Sequence, residues 1–168
     1  MDTSATIAVF AKMLRNMDRW IETAVEHAKK KGFDPEVYAV ARLAPDQYDL
    51  IRQVQAACDQ AKYAAAYLSQ QPPPSHPDTE RTIEELRARI QTALRYVETF
   101  EPASDKTPAD IRISPAWMQG KWVPGDVYLN EITIPNFYFH VCHVYAILRH
   151  NGVELGKMDF IGGLEMRD

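Results

Sequence analysis

The chain has 168 residues, 46% of them hydrophobic, which is enough for one sizeable core and short for two domains. Its 19 basic and 23 acidic side chains leave a net charge of −4 with no dominant block, which excludes a nucleic-acid surface built on a basic stripe. No apolar run approaches the roughly 18 residues that span a bilayer, the opening residues 1–7 lack the regions of a signal peptide, and Cys58 and Cys142, without CxxC spacing, read as buried thiols of a reducing cytoplasm.

Four helical segments follow from the apolar spacing. The first is predicted from Ser4 to Lys31, with Ile7, Phe10, Leu14, Met17, Ile21, Val25 and Ala28 on one face of a 3.6-residue period. Gly32 stops it, and Lys29, Lys30 and Lys31 complement the negative end of the helix dipole. The second is predicted from Asp46 to Ser69, entered through Pro45, with Leu50, Val54, Ala57, Ala61, Ala64, Ala65 and Leu68 inward. Its remaining alanines form a second small-residue face, which predicts close approach of another copy and hence a homodimer. Asp59 and Lys62 are the only charges between Val54 and Leu68. At this spacing they pair with each other, or, if the second face is covered, Asp59 is a buried carboxylate in need of a partner.

Gln70 to Pro77 carries four prolines and reads as an extended connection, with His76 exposed in it. Thr82 and Glu85 form a capping box that opens the third helix, whose stripe is Ile83, Leu86, Ile90, Leu94, Val97 and Phe100. From Glu101 to Gly125, prolines and glycines surround two short β-favouring pieces, Ile111–Ile113 and Lys121–Val123. These predict a small β-hairpin or irregular flap turning at Gly120. Trp117 and Trp122 there either cap one end of the bundle or line a pocket.

The last helix either starts near Asp126 and kinks at Pro135, or starts at Pro135, and it stops at Gly152. Val127, Ile134, Tyr138, Val141, Tyr145 and Leu148 keep heptad spacing across Pro135, and the inward stripe runs through Ile134, Phe137, Tyr138, Val141, Val144, Tyr145 and Leu148. His140 falls on the flank of that stripe, beside Phe137, Val144 and Ile147, while His143 and His150 project to the opposite side. His143 and His150 stand about 10 Å apart along the helix, too far to share one ion. The place one turn on from His140 is Val144, so an inward pair of imidazoles is missing. These positions define a candidate pocket of Asp59, Lys62, Tyr138 and His140, with His27 at the edge of the first helix as an outlying member. No cofactor is predicted from them. The alternative is a divalent metal such as Zn or Ni on His140, His143 and Asp59. No phosphate loop, nucleophile elbow or Ser/His/Asp set is present.

Several stretches together resemble a known family: Ala41–Gln47, Gln53–Lys62, Pro135–His140, Ile147–Val153 and Gly156–Phe160. The whole chain is similar to the bacterial family labelled domain of unknown function 1993, which resembles the DinB-like superfamily. The resemblance implies one domain over residues 1–168, all-α, an up-down-down-up four-helix bundle. Relatives there include divalent-metal enzymes such as thiol-dependent transferases, holding the metal with one histidine on the second helix and a His-x-x-x-His pair on the fourth. By position His140 matches the first of that pair, Val144 replaces the second, and the second helix offers only Gln53 and Asp59. Two expectations follow. One is a cytoplasmic, dimeric bundle with a polar pocket for a small molecule or a structural role, without nucleic acid or membrane as partner. The other is a divergent metal-dependent transferase or hydrolase.

Overall fold

The structure is a computed structural model and describes residues 2–164 and 166. The first helix, α1, is Thr3–Lys31. Asp2 caps it by accepting from the amides of Ser4 and Ala5, and Gly32 ends it with a φ of 77° that a side chain would strain. Its buried arc is wider than one stripe, because Ala11, Met13, Trp20 and Ala24 are covered as well. The cause is that α1 is flanked by helices on more than one side.

A 3₁₀ turn at Pro35–Tyr38 and an irregular stretch lead into α2, Leu50–Leu68. This helix starts four residues later than its spacing predicts. Asp49 takes the capping position, its carboxylate accepting from the Arg52 amide at 3.0 Å, and Pro45 lies in the turn before it. The third helix, α3, is Ile83–Glu98 and carries the predicted capping box of Thr82 and Glu85.

The connection between α2 and α3 determines the topology. Asp78 and Glu80, near its end, meet Arg52 and Gln55 in the first turns of α2. Residues 69–82 therefore run back along α2 as a strap, and α3 sets out parallel to α2. Returning from Leu68 to the level of Arg52 is about 24 Å of helix. A proline-rich extension at about 3.1 Å per residue covers that distance with few residues and needs no hydrogen bonds of its own. The strap covers one flank of α2, and the helices cover the rest: α1 packs on α3, while α2 packs on both α3 and the last long helix. The result is the expected up-down-down-up bundle. Ala57, Ala61, Ala64, Ala65 and Ala66 are all buried within this one chain. Of the alanines that motivated a dimer, Ala56 is half-buried and the others are covered by the chain's own elements.

Before the last helix, β1 (Arg112–Ile113) pairs antiparallel with β2 (Val123–Pro124), Ile113 opposite Val123. The turn passes through positive φ at Gln119 and Gly120. Trp117 and Trp122 are exposed and are not buried against the end of the bundle. Trp122 instead takes the Arg112 guanidinium 4.1 Å from its ring centroid.

The last long helix, α4, spans residues 125–150 in three contiguous pieces: Gly125–Val127, a π-helical turn at Tyr128–Thr133, and Ile134–His150. Of the two predicted starts, the earlier one is observed, and the helix runs through Pro135. Proline lacks the amide that an α-helix needs there. The chain widens instead, with the Ile134 amide reaching back five residues to the Leu129 carbonyl. The extra residue changes the phase, so heptad spacing across Pro135 does not follow one face. The buried side of the rod is Phe137, His140, Val141, Val144, Ile147 and Leu148, whereas Ile134, Tyr138 and Tyr145 are only half-buried. His140 lies within the inward face, not on its flank. A short α5, Lys157–Ile161, then docks on α1. There Trp20 donates to the Asp159 carbonyl at 3.0 Å and Asn16 to the Phe160 carbonyl at 2.9 Å. Among the described residues no helix is long and apolar enough to cross a membrane.

Candidate functional site

Apart from Asn16 and Thr133, the buried polar residues gather in two centres. The first lies between α2, α3 and the strap. Asp59 Oδ1 accepts from Lys62 Nζ at 2.8 Å and from Arg89 Nη2 at 2.7 Å. The Lys62 and Arg89 side chains are only 3% and 2% exposed. Arg89 also donates to the carbonyls of His76 and Pro77 at 3.0 and 3.1 Å and reaches Glu80 and Asp78, both at 3.3 Å. Arg52 closes the cluster on Asp78 at 2.6 Å. Three cations (Arg52, Lys62, Arg89) thus meet three anions (Asp59, Asp78, Glu80). Burial opposes the charge on Arg89, but Asp59 and Glu80 outweigh it and raise the guanidinium pKa. With its charges balanced and Arg89 Nη1 on two strap carbonyls, this centre holds the strap on the bundle, while the buried Arg89 Nε has no hydrogen-bond partner among the described residues. His76 is half-buried beside it, not exposed as predicted. Burial, then Lys62 and Arg89, lower the His76 pKa.

The second centre is His140, 7% exposed, where α4 faces the start of α2. Gln53 defines its chemistry. The Gln53 amide donates through Nε2 to the Tyr48 carbonyl at 3.4 Å, which leaves Oε1 to face His140 Nδ1 at 2.8 Å. An amide oxygen only accepts, so Nδ1 carries the proton and Nε2 carries the lone pair. Nε2 has no hydrogen-bond partner among the described residues, and it is not among the fully shielded unpaired atoms. It is an unpaired acceptor that is not fully sealed from solvent. Burial first, then His143 and Arg52, hold the imidazole pKa down to about 4, so the ring is neutral near pH 7.

Two exposed aromatic rings flank this imidazole. Tyr48, 52% exposed, lies nearly parallel to the imidazole with centroids 6.4 Å apart. Phe139, 53% exposed, stands perpendicular to it at 5.3 Å. Arg52 sits over the Tyr48 ring at 5.4 Å, which ties this wall to the strap through Asp78. His143 lies at the rim. Its Nδ1 donates to the Phe139 carbonyl at 2.7 Å, so its Nε2 accepts from Gln47 Nε2 at 3.5 Å.

Asp59 and Lys62 therefore come together as predicted, but in the strap cluster, and His140 pairs with Gln53. Tyr138 projects away from both centres, with its ring against Phe137 at 5.4 Å. His27 bonds the Tyr38 hydroxyl at 2.7 Å and joins neither. Cys58 is buried, its thiol pushed up to about 12 by burial, while Cys142 is exposed, contrary to expectation; both are free. Gln47, Tyr48, Arg52, Asp78, Glu80, Arg89 and Phe139 are members that the sequence did not single out, and Gln53 entered only by its place on the second helix, not as the partner of His140. Gln53 was detectable, since a glutamine one place before Val54 and three after Leu50 interrupts an apolar face. Arg89, just before Ile90 and three after Leu86, interrupts another in the same way. Tyr48 lies in irregular chain, where no periodicity marks it.

The three-histidine metal pattern implied by the resemblance does not fit these residues. Gln53 spends its oxygen on His140, Val144 is aliphatic and wholly buried, and Asp59 is engaged in the other centre. Among the described residues no three His, Cys, Asp or Glu side chains gather as ligands.

A family model described as a domain of unknown function (DUF1993) matches residues 3–161. The crystal structure of a DinB family member protein from Shewanella denitrificans is similar at 44% identity with a TM-score of 0.90, covering 96% of this chain and 92% of that one. No curated protein matches the chain.

Proposed function

Because the chain belongs to the domain of unknown function 1993 family, with a DinB-like fold, we propose that it is a small-molecule-binding bundle whose site is centred on His140 and works without a chelated metal. One observation carries this reading: a nearly buried, neutral imidazole has one nitrogen fixed by Gln53 and the other left as an unpaired acceptor not fully sealed from solvent. An acceptor of that kind selects a ligand that donates a hydrogen bond, and its neutral state is kept near pH 7 by burial. A partly hidden polar group between exposed rings is the usual make-up of a small-ligand site. All of the named groups come from one chain, so the site needs no second copy. A cytoplasmic location belongs to the same reading and is supported by the exposed free thiol of Cys142.

Two measurements on protein purified without a His-tag test it. Imidazole ¹⁵N spectra at pH 7 are expected to show His140 protonated on Nδ1 alone, and elemental analysis to find no stoichiometric transition metal. Zn or Ni at one equivalent, lost in His140→Ala, would overturn the proposal and restore the metal-dependent transferase or hydrolase.

A further inference from the structure

Tyr48 and Phe139 are large apolar rings that stay about half exposed although a bundle interior lies beside them. Both are held in that position. The Tyr48 carbonyl is bonded to Gln53, and its ring is covered on one side by Arg52, itself anchored on Asp78 at 2.6 Å and Gln55 at 3.1 Å. The Phe139 carbonyl takes the His143 proton, and the two rings lie 4.2 Å apart between centroids. Anchored exposed rings form a preorganised surface, which lowers the ordering cost of binding a flat partner.

Resting on the His140 reading, we propose that the ligand is a planar aromatic ring bearing a neutral hydrogen-bond donor, such as a phenol-type hydroxyl, with its face against Tyr48, its edge towards Phe139 and its donor on His140 Nε2. Three features of the site favour this class. The acceptor requires a donor on the ligand, which excludes a carboxylate. The Arg52 guanidinium next to Tyr48 disfavours a cationic ligand. The two walls are aromatic and set nearly at right angles around the imidazole, at 12° and 88° to its plane, so a flat ring can take a stacked contact and an edge contact at once.

The test is titration of ¹⁵N-histidine-labelled protein with phenol, cyclohexanol, 2-mercaptoethanol and benzylammonium, reading His140 Nε2. Phenol is expected to shift that resonance saturably and to bind about twofold to twelvefold more tightly than cyclohexanol, the range that one aromatic pair supplies. Tyr48→Leu, an exposed change that leaves the fold intact, is expected to remove that preference. If cyclohexanol or 2-mercaptoethanol saturates His140 as well as phenol does, the aromatic class is wrong and the His140 site stands. If none of the probes moves the resonance at tens of millimolar, both the class and the site fail. If benzylammonium binds best, the assignment of a neutral donor is overturned.

Discussion

Replacing Arg89 by Met tests the strap cluster most directly. The guanidinium is 2% exposed and makes contacts to Asp59, Asp78 and Glu80 and to the carbonyls of His76 and Pro77. Methionine fills most of the volume and carries no charge. Lys62 remains on Asp59, Arg52 on Asp78 and Gln55 on Glu80, so no carboxylate is left entirely alone, but both strap carbonyls lose their donor. Removing one member of a buried ionic group costs about 3–5 kcal/mol. For a chain of this length that corresponds to a Tm lower by roughly 6–20 °C. Urea denaturation should show the midpoint falling at unchanged m, and limited proteolysis should cut within residues 70–80 faster than in the parent. A loss below about 1 kcal/mol, or a strap no more easily cut, would refute the assignment of Arg89 as its anchor.

Lys62→Met should behave differently, because Asp59 keeps Arg89 and the buried ammonium has one hydrogen-bond partner; chemical denaturation should show a change of less than about 1 kcal/mol, or a gain. His140 supplies a pH signature. Its pKa is about 4 in the fold against about 6.5 unfolded, so the unfolded chain binds more protons between these values. Its stabilisation is complete above about pH 6.5 and is lost as the pH falls to about 4, by roughly 3 kcal/mol. His140→Gln should flatten that part of the stability curve, and identical curves for the two proteins would contradict the buried neutral imidazole. Gly125→Ala should cost about 1–3 kcal/mol by thermal unfolding, since its Cβ would lie 2.7 Å from the Pro108 carbonyl oxygen. Gly163→Ala, with nothing within 4 Å, should leave Tm unchanged.

Helices were legible wherever burial followed a regular period. The α1 stripe, the Gly32 stop and the Thr82–Glu85 box all depend on residues within a few positions of one another, and each is present. Legibility was lost where a distant segment supplied the partner. Asp59 was visible as a solitary acid, but Arg89 lies 30 residues away in sequence and is brought to it by the strap. Gln53 and His140 are 87 residues apart, and counting the half-buried Ile134, Tyr138 and Tyr145 as inward turned the expected face away from His140. Tyr48 had neither a period nor a motif to mark it.

Laying α2 and α3 side by side in the same direction has a kinetic cost. Neighbouring helices joined by short antiparallel turns can pair as they emerge, whereas here Arg87 of α3 finds Asp18 of α1 across 69 residues and α2 finds α4 across still more chain. Such remote pairing raises contact order, and the search for it is slow relative to up-down-up-down bundles of equal size. While the strap is unlaid, the α2 flank of Arg52 and Gln55 lacks its partners and the helix pair beneath stays open to solvent and to other unfolded chains, so the assembling protein is most vulnerable to aggregation at that stage.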